Sequence, residues 1–313
     1  MKKIVSVFMS LLLLFSLVFA GCTDSQEDKD KNIVLTTFYP VYIFTLNLLD
    51  GIDDIEIVNM TENHNGCLHD YTLMPKDMKA LAAAKAVVIN GAGMEEFLEK
   101  AVEMSDAPVI DSSIGIEIIG ADEEDDHDHD HETEEEHGHD HDHSSNAHIW
   151  MSPKNAAKQT ENIAQGLIKV FPQYEEKISD NLKIYLQKLD SLDSKIKSEL
   201  APCKGAEFIS FHEAYDYFAA DYSLSFAASV DSDDGAEPGT KELVRLTELI
   251  KSRDIKAIFT EPDYQGSSAE VLSKETGVPV YTLNPVTSGD GAKDSYEKIM
   301  LENCETIKKA VLS

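Results

Sequence analysis

One stretch restricts the fold more than any other. From about Tyr174 to Leu200 the apolar positions are Ile178, Leu182, Tyr185, Leu189, Leu192, Ile196 and Leu200. Their spacings alternate four and three, and end on four because Glu199 takes the place three residues beyond Ile196. The pattern predicts one apolar stripe along a helix of roughly 27 residues, about 40 Å long at the usual rise. An isolated coiled coil gives the same stripe. With only about three heptads, set between two regions of different period, the run better suits a helix packed across both.

Those flanking regions alternate strand and helix. On the N-terminal side Ile33 to Thr37, Ile55 to Val58, Ala86 to Ile89 and Pro108 to Asp111 read as strands. Helical runs follow at Pro40 to Leu49, Pro75 to Ala84 with Asp77 in its first turn, and Met94 to Glu103. After a further helix over Asn155 to Val170 and the long one, the alternation resumes. Strands are expected at Glu207 to Phe211, Leu224 to Ala228, Ala257 to Thr260 and Val280 to Leu283. Helices are expected from His212 to about Asp221, over Thr240 to Ser252 with Thr240 as N-cap, over Ser267 to Thr276, and from Ser295. The fold class is therefore α/β: two βα lobes with parallel sheets, joined by a rigid spine helix. The expected boundaries are a lobe over 32–171, the spine over 172–200 and a second lobe over 201–313. Ligands in such sheets bind beyond the carboxyl ends of the strands, so the site is expected in the cleft between the lobes.

Within the first lobe, residues 122–143 hold almost nothing but Asp, Glu and His. Thirteen acids accompany seven of the chain's eleven histidines: His127, His129, His131, His137, His139, His141 and His143. The segment has no apolar face to bury and repels itself into a solvated loop. An acidic spacer with incidental histidines is the plainer reading. Two separate bursts of His alternating with Asp point instead to auxiliary capture of a borderline transition metal. The net charge of the whole chain is −31, which argues against nucleic acid as a partner and fits cation binding or solubility.

The first 21 residues read as an export leader. Lys2 and Lys3 precede an uncharged apolar run from Ile4 to Phe19, and Ala20-Gly21-Cys22 closes it. A Cys directly after such a site resembles a bacterial lipoprotein signal, with Cys22 as the point of lipid attachment and 22–31 as a polar tether. No later stretch approaches eighteen apolar residues. The expected location is the outer face of the cell membrane, or the periplasm where the cell has two membranes. Beyond Cys22 the cysteines are Cys67, Cys203 and Cys304, so at most one disulfide forms, and its pairing is open.

Four histidines lie outside the tract: His64, His69, His148 and His212. His69 and His148 follow elements of the first lobe, and His212 directly follows the first strand of the second. One such histidine is more often a satisfied polar residue than a ligand. Three beside a metal-collecting tract favour a metal centre. Their surroundings carry a resemblance: Gly66-Cys67-Leu68-His69-Asp70-Tyr71 with Pro75-Lys76-Asp77, then Asn146-Ala147-His148-Ile149-Trp150-Met151-Ser152-Pro153, then Phe211-His212-Glu213-Ala214-Tyr215. In this order they resemble the motifs of solute-binding lipoproteins of zinc and manganese ABC importers, and the match covers essentially the whole mature chain.

The resemblance implies a receptor rather than an enzyme, with His69, His148 and His212 as metal ligands. It implies Zn2+ as cargo in preference to Mn2+, because zinc members tend to have His at the third position and manganese members Glu. Imidazole over carboxylate favours the same choice. The implied partners are a cognate permease with its ATPase, and a membrane reached through the lipid; the receptor is expected as a monomer. The family's fourth ligand is usually Asp, where this chain has Asn284, and an amide oxygen is a poor zinc ligand. Glu261, Asn284, Cys67 or water is left for that place, with Glu261 alternatively holding a ligand histidine. Two other readings remain: an extracellular metal-buffering or adhesive lipoprotein without a transporter, and a three-histidine zinc hydrolase with Glu261 or Glu213 as base.

Overall fold

The computed structural model describes residues 32–62, 68, 71–103, 105–120, 145–230 and 237–313. The expected leader, Cys22, the tether, His64, Cys67, His69 and the seven tract histidines lie outside the described residues.

Two four-stranded sheets carry the fold. In the first, β1 (Asn32–Thr36), β2 (Ile55–Asn59), β3 (Ala84–Ile89) and β4 (Val109–Asp111) stand in the order β2-β1-β3-β4. In the second, β5 (Glu207–Ser210), β6 (Ser225–Ser229), β7 (Ile255–Thr260) and β8 (Val280–Thr282) stand in the order β6-β5-β7-β8. Strand β3 pairs in parallel with β1 and β4, β5 with β6 and β7, and β7 with β8. Each half thus reverses its strand order at one point, between β1 and β3 and between β5 and β7. Two diverging connections leave a crevice there, beyond the carboxyl ends of the strands.

Period-two alternation decides which core each strand residue joins. Val34, Ala86 and Val88 face a large apolar cluster, while Leu35 and Val87 face a smaller one on the other side of the first sheet. Phe208, Ala257 and Phe259 join the same large cluster from the second sheet, with Ile209 and Ile258 turned to a third. The shared cluster is completed by helices α1 (Tyr39–Leu48), α4 (Pro153–Val170), α5 (Glu175–Leu200) and α9 (Ser295–Leu312). One continuous apolar core therefore touches a face of both sheets, and α5 is its long member.

The stripe on α5 is buried at Ile178, Tyr185, Leu189, Leu192, Ile196 and Leu200, and Leu182 packs half-buried at its edge. Asn181 is also buried on this face. Its amide donates to the carbonyls of Leu48 and Asp50, both at 2.9 Å, and so satisfies carbonyls at the end of α1.

Of the shorter helices, α2 (Pro75–Ala83) opens on Pro75, and Asp77 accepts from the Met74 N–H and the Tyr71 hydroxyl, each at 2.8 Å. Helix α7 (Thr240–Ser252) begins at Thr240, but extended Gly239 takes the cap position and makes no side-chain bond; Thr240 is the first helical residue, not the cap. The helix expected over Met94 to Glu103 shrinks to a 3-10 turn at Glu96–Leu98 and α3 (Glu99–Glu103). The reason lies just upstream. Gly91, Ala92 and Gly93 all have positive φ, and Glu95 bends back to bind the N–H groups of Asn90 and Gly91. The remaining helices are α6 (Asp216–Tyr222) and α8 (Ser268–Thr276). Among the described residues no helix is long and apolar enough to cross a membrane.

Candidate metal centre

The crevice of the second sheet positions two polar side chains directly. His212 leaves β5 two residues after its last strand residue, and Glu261 leaves the adjacent strand β7 one residue after Thr260. The His212 backbone is extended (φ −164°, ψ 144°) and is fixed by Ser210, whose hydroxyl donates to the His212 carbonyl and accepts from its N–H at 3.2 Å. The Glu261 carboxylate hydrogen-bonds the Nδ1 of His212. Their side chains are 13% and 18% exposed, so both are partly accessible rather than sunk in the core.

His148 arrives by a different route. It follows the tract and precedes a 3-10 turn at Ile149–Met151. The structure holds its approach through the crevice of the first sheet. There the Asn90 amide, just past β3, donates to the Ala147 carbonyl at 3.0 Å and takes a bond from Gln159 at 2.9 Å. Asn90 is itself held by Glu95, whose buried carboxylate accepts from the Thr37 hydroxyl and the Asn90 N–H, both at 2.6 Å, and from the Gly91 N–H at 3.0 Å. Burial pushes the Glu95 carboxyl up to about 7, against the opposing pull of those three donors.

The His148 ring is fully buried and its Nδ1 lies 2.9 Å from Asn146 Oδ1. It meets the His212 ring edge-on, with centroids 4.7 Å apart and planes at 84°. A nitrogen-bound zinc ion lies about 3 Å from an imidazole centroid, so two rings at a tetrahedral angle sit about 5 Å apart. The observed separation fits one ion shared by two imidazoles.

Trp150, the chain's single tryptophan, packs 5.2 Å from the His148 ring and donates to the Pro285 carbonyl at 2.8 Å. Its own carbonyl accepts from the Tyr296 hydroxyl at 2.7 Å, so the second half of the chain holds the turn that bears His148. Asn284 lies in the segment that receives Trp150. Its carboxamide oxygen accepts from the Val286 N–H at 2.8 Å, and its backbone is clamped by Asn303 at 2.8 and 2.7 Å.

The structure thus brings together His148, His212 and Glu261, and places Asn284 in a turn beside the Trp150 dock. His69 lies outside the described residues, though Leu68 just before it is fully buried. Sequence reasoning missed Asn90, Glu95 and Asn146 as supports. Only Asn146 left a trace, as a polar residue two places before a histidine.

Residues 34–310 match the family model described as zinc-uptake complex component A, periplasmic. The chain belongs to this family. It is 31% identical over 317 residues to the zinc-binding lipoprotein AdcA of Streptococcus pneumoniae, covering 99% of this chain and 61% of that relative. It therefore spans about three fifths of the length of the AdcA relatives. The high-affinity zinc uptake system protein ZnuA of Bacillus subtilis is 30% identical over 299 residues, with 93% of this chain and 91% of the relative covered. Among solved structures, the Zn(II)-bound ZnuA-like domain of Streptococcus pneumoniae AdcA superposes with a TM-score of 0.72 at 26% identity, over 90% of this chain and all of that one.

Proposed function

We propose that the chain is an exported zinc-binding receptor that hands its ion to an ABC permease and its ATPase, and that it catalyses no reaction. The observation that carries this reading is the meeting of His148 and His212, each with Nδ1 bonded to another side chain. A neutral ring so held keeps its lone pair on Nε2, the arrangement by which metal-bound imidazoles are oriented. His69 supplies a third nitrogen, and all-imidazole donors suit zinc better than manganese. Glu261 acts through His212, Asn284 serves its turn, and water fills the fourth place. The tract histidines gather zinc, and Cys22 carries the lipid that keeps a monomeric receptor at the membrane. The reading is supported by the family and by two relatives whose names record zinc binding and zinc uptake.

Titration calorimetry with zinc and manganese on the full mature chain, on the chain lacking 122–143 and on His212→Ala tests it. One tight zinc site that survives removal of the tract and weakens sharply in His212→Ala is expected. Tight manganese binding, or an unaltered zinc site in the variant, overturns it.

A further inference from the structure

We propose that Asn146, clamped by Tyr217, is the positioning residue that sets the tautomer of His148 and ties that ring to the segment following His212. Three hydrogen bonds join Ile119, Asn146 and Tyr217. The Asn146 N–H donates to the Ile119 carbonyl at 2.8 Å, the Tyr217 hydroxyl donates to the Asn146 carbonyl at 2.7 Å, and the Ile119 N–H donates to that hydroxyl at 3.0 Å. Tyr217 belongs to α6, so a residue of the second half of the chain bonds both Ile119 and Asn146 of the first.

With its backbone fixed, the Asn146 side chain has one orientation. Its Nδ2 faces the Glu213 carbonyl at 3.0 Å and Asp216 Oδ2 at 3.1 Å, and a carbonyl only accepts. Its Oδ1 faces the His148 N–H at 3.0 Å, which only donates. The amide is therefore assigned by its partners on both sides. Since Oδ1 only accepts, the His148 Nδ1 that lies 2.9 Å away carries the proton, and a neutral ring held this way has its lone pair on Nε2. The same amide grips residues 213 and 216, immediately after His212. Asn146 is thus one part that fixes both the direction of one imidazole and its place beside the other.

The test reads the ring before it reads the metal. Long-range proton–nitrogen spectra of the metal-free mature chain report which nitrogen of His148 is protonated; binding is then measured by zinc titration against a chelator, with Trp150 fluorescence as the local reporter. Wild type is expected in the Nδ1–H form. Asn146→Ala should move His148 toward the Nε2–H form and weaken zinc about 10–100-fold, the range for partners of metal-bound histidines. Asn146→Asp keeps an oxygen acceptor toward Nδ1 but loses the donor to the Glu213 carbonyl and Asp216, so it should restore the Nδ1–H form while affinity stays reduced, a separation of the two readouts that a merely structural role does not predict. Tyr217→Phe should shift both readouts the same way by a smaller amount, about threefold in affinity, well below the range for a direct partner.

An unchanged tautomer and an affinity within twofold of wild type in Asn146→Ala overturn the proposal. Should that variant fail to fold, Tyr217→Phe decides alone, and no change in either readout overturns it. The affinity arm rests on the zinc reading above, whereas the tautomer arm does not. An Nδ1–H ring on a wild-type chain without a tight zinc site supports the positioning and overturns the receptor.

Discussion

The two halves of the chain share one strand order, yet each puts a glutamate to a different use at its crevice. Glu95 is turned inward and takes three donors, from Thr37 just past β1 and from Asn90 and Gly91 just past β3. Glu261 is partly exposed and holds His212. The first half spends its carboxylate on ordering the backbone over which Ala147 and His148 are laid. The second places His212 and Glu261 directly past strand ends. A carboxylate beside fully buried His148 would have to be desolvated, and the neutral amide of Asn146 orients that ring without this penalty.

The comparison is broken most forcefully at the rings. His148→Ala and His212→Ala should each weaken zinc by more than about 100-fold, beyond the range commanded by partners of the ligands. Competition titration checks this, and a variant that stays within tenfold removes its histidine from the centre. Binding in the wild type should also weaken in acid, because protons compete with zinc for the imidazole nitrogens.

Glu95 sharpens the contrast from the stability side. Its folded carboxyl titrates at about 7, above its ordinary value of 4.5. The folded state therefore binds the proton more tightly than the unfolded state, and this group favours folding at low pH. Its contribution is complete below about pH 4.5 and is lost as pH rises through 7, on the order of 3 kcal/mol from that shift. Thermal melts between pH 5 and 8 should show this loss in wild type and a flatter profile in Glu95→Gln. Equal slopes would mean that the carboxyl is not the burdened group. At Glu261 the expected change is in binding: Glu261→Gln should weaken zinc by roughly tenfold, the low end for such partners, since the amide oxygen still accepts from Nδ1. A loss as large as that of His212→Ala would make Glu261 itself a ligand.

The same asymmetry explains what the sequence disclosed. The βα alternation, the α5 stripe and His212 at the end of β5 are local patterns, and each was readable. The second crevice was nearly as legible, because Glu261 and His212 both sit one or two residues past strands. Its counterpart was not. His148 depends on Asn90, 57 residues upstream of Ala147, and on Tyr217, 71 residues past Asn146. Nothing in the spacing of those residues announces a hydrogen bond between them. The short α3 was missed for a related reason: a helical run of residues gave way to Glu95 and three positive-φ neighbours.

Between the halves, Asp221 offers the finest test. It accepts from the Ser152 hydroxyl at 2.5 Å and from the Lys154 ammonium at 2.6 Å, so α6 grips the N-terminus of α4, which carries the turn of His148. Ser152 is buried and its oxygen also accepts from the Asn155 N–H at 3.2 Å, which caps α4. Ser152→Ala should lower stability by about 1 kcal/mol through the lost cap. The Lys154 side chain is 54% exposed, and its ion pair is screened and entropically loose. Lys154→Ala should cost less than about 0.5 kcal/mol, and less again in high salt. Urea melts of the two variants at low and high salt separate the contributions. If Lys154→Ala proves the more damaging, the grip of α6 on the first half is electrostatic, and the tie between His148 and the second half should weaken with ionic strength.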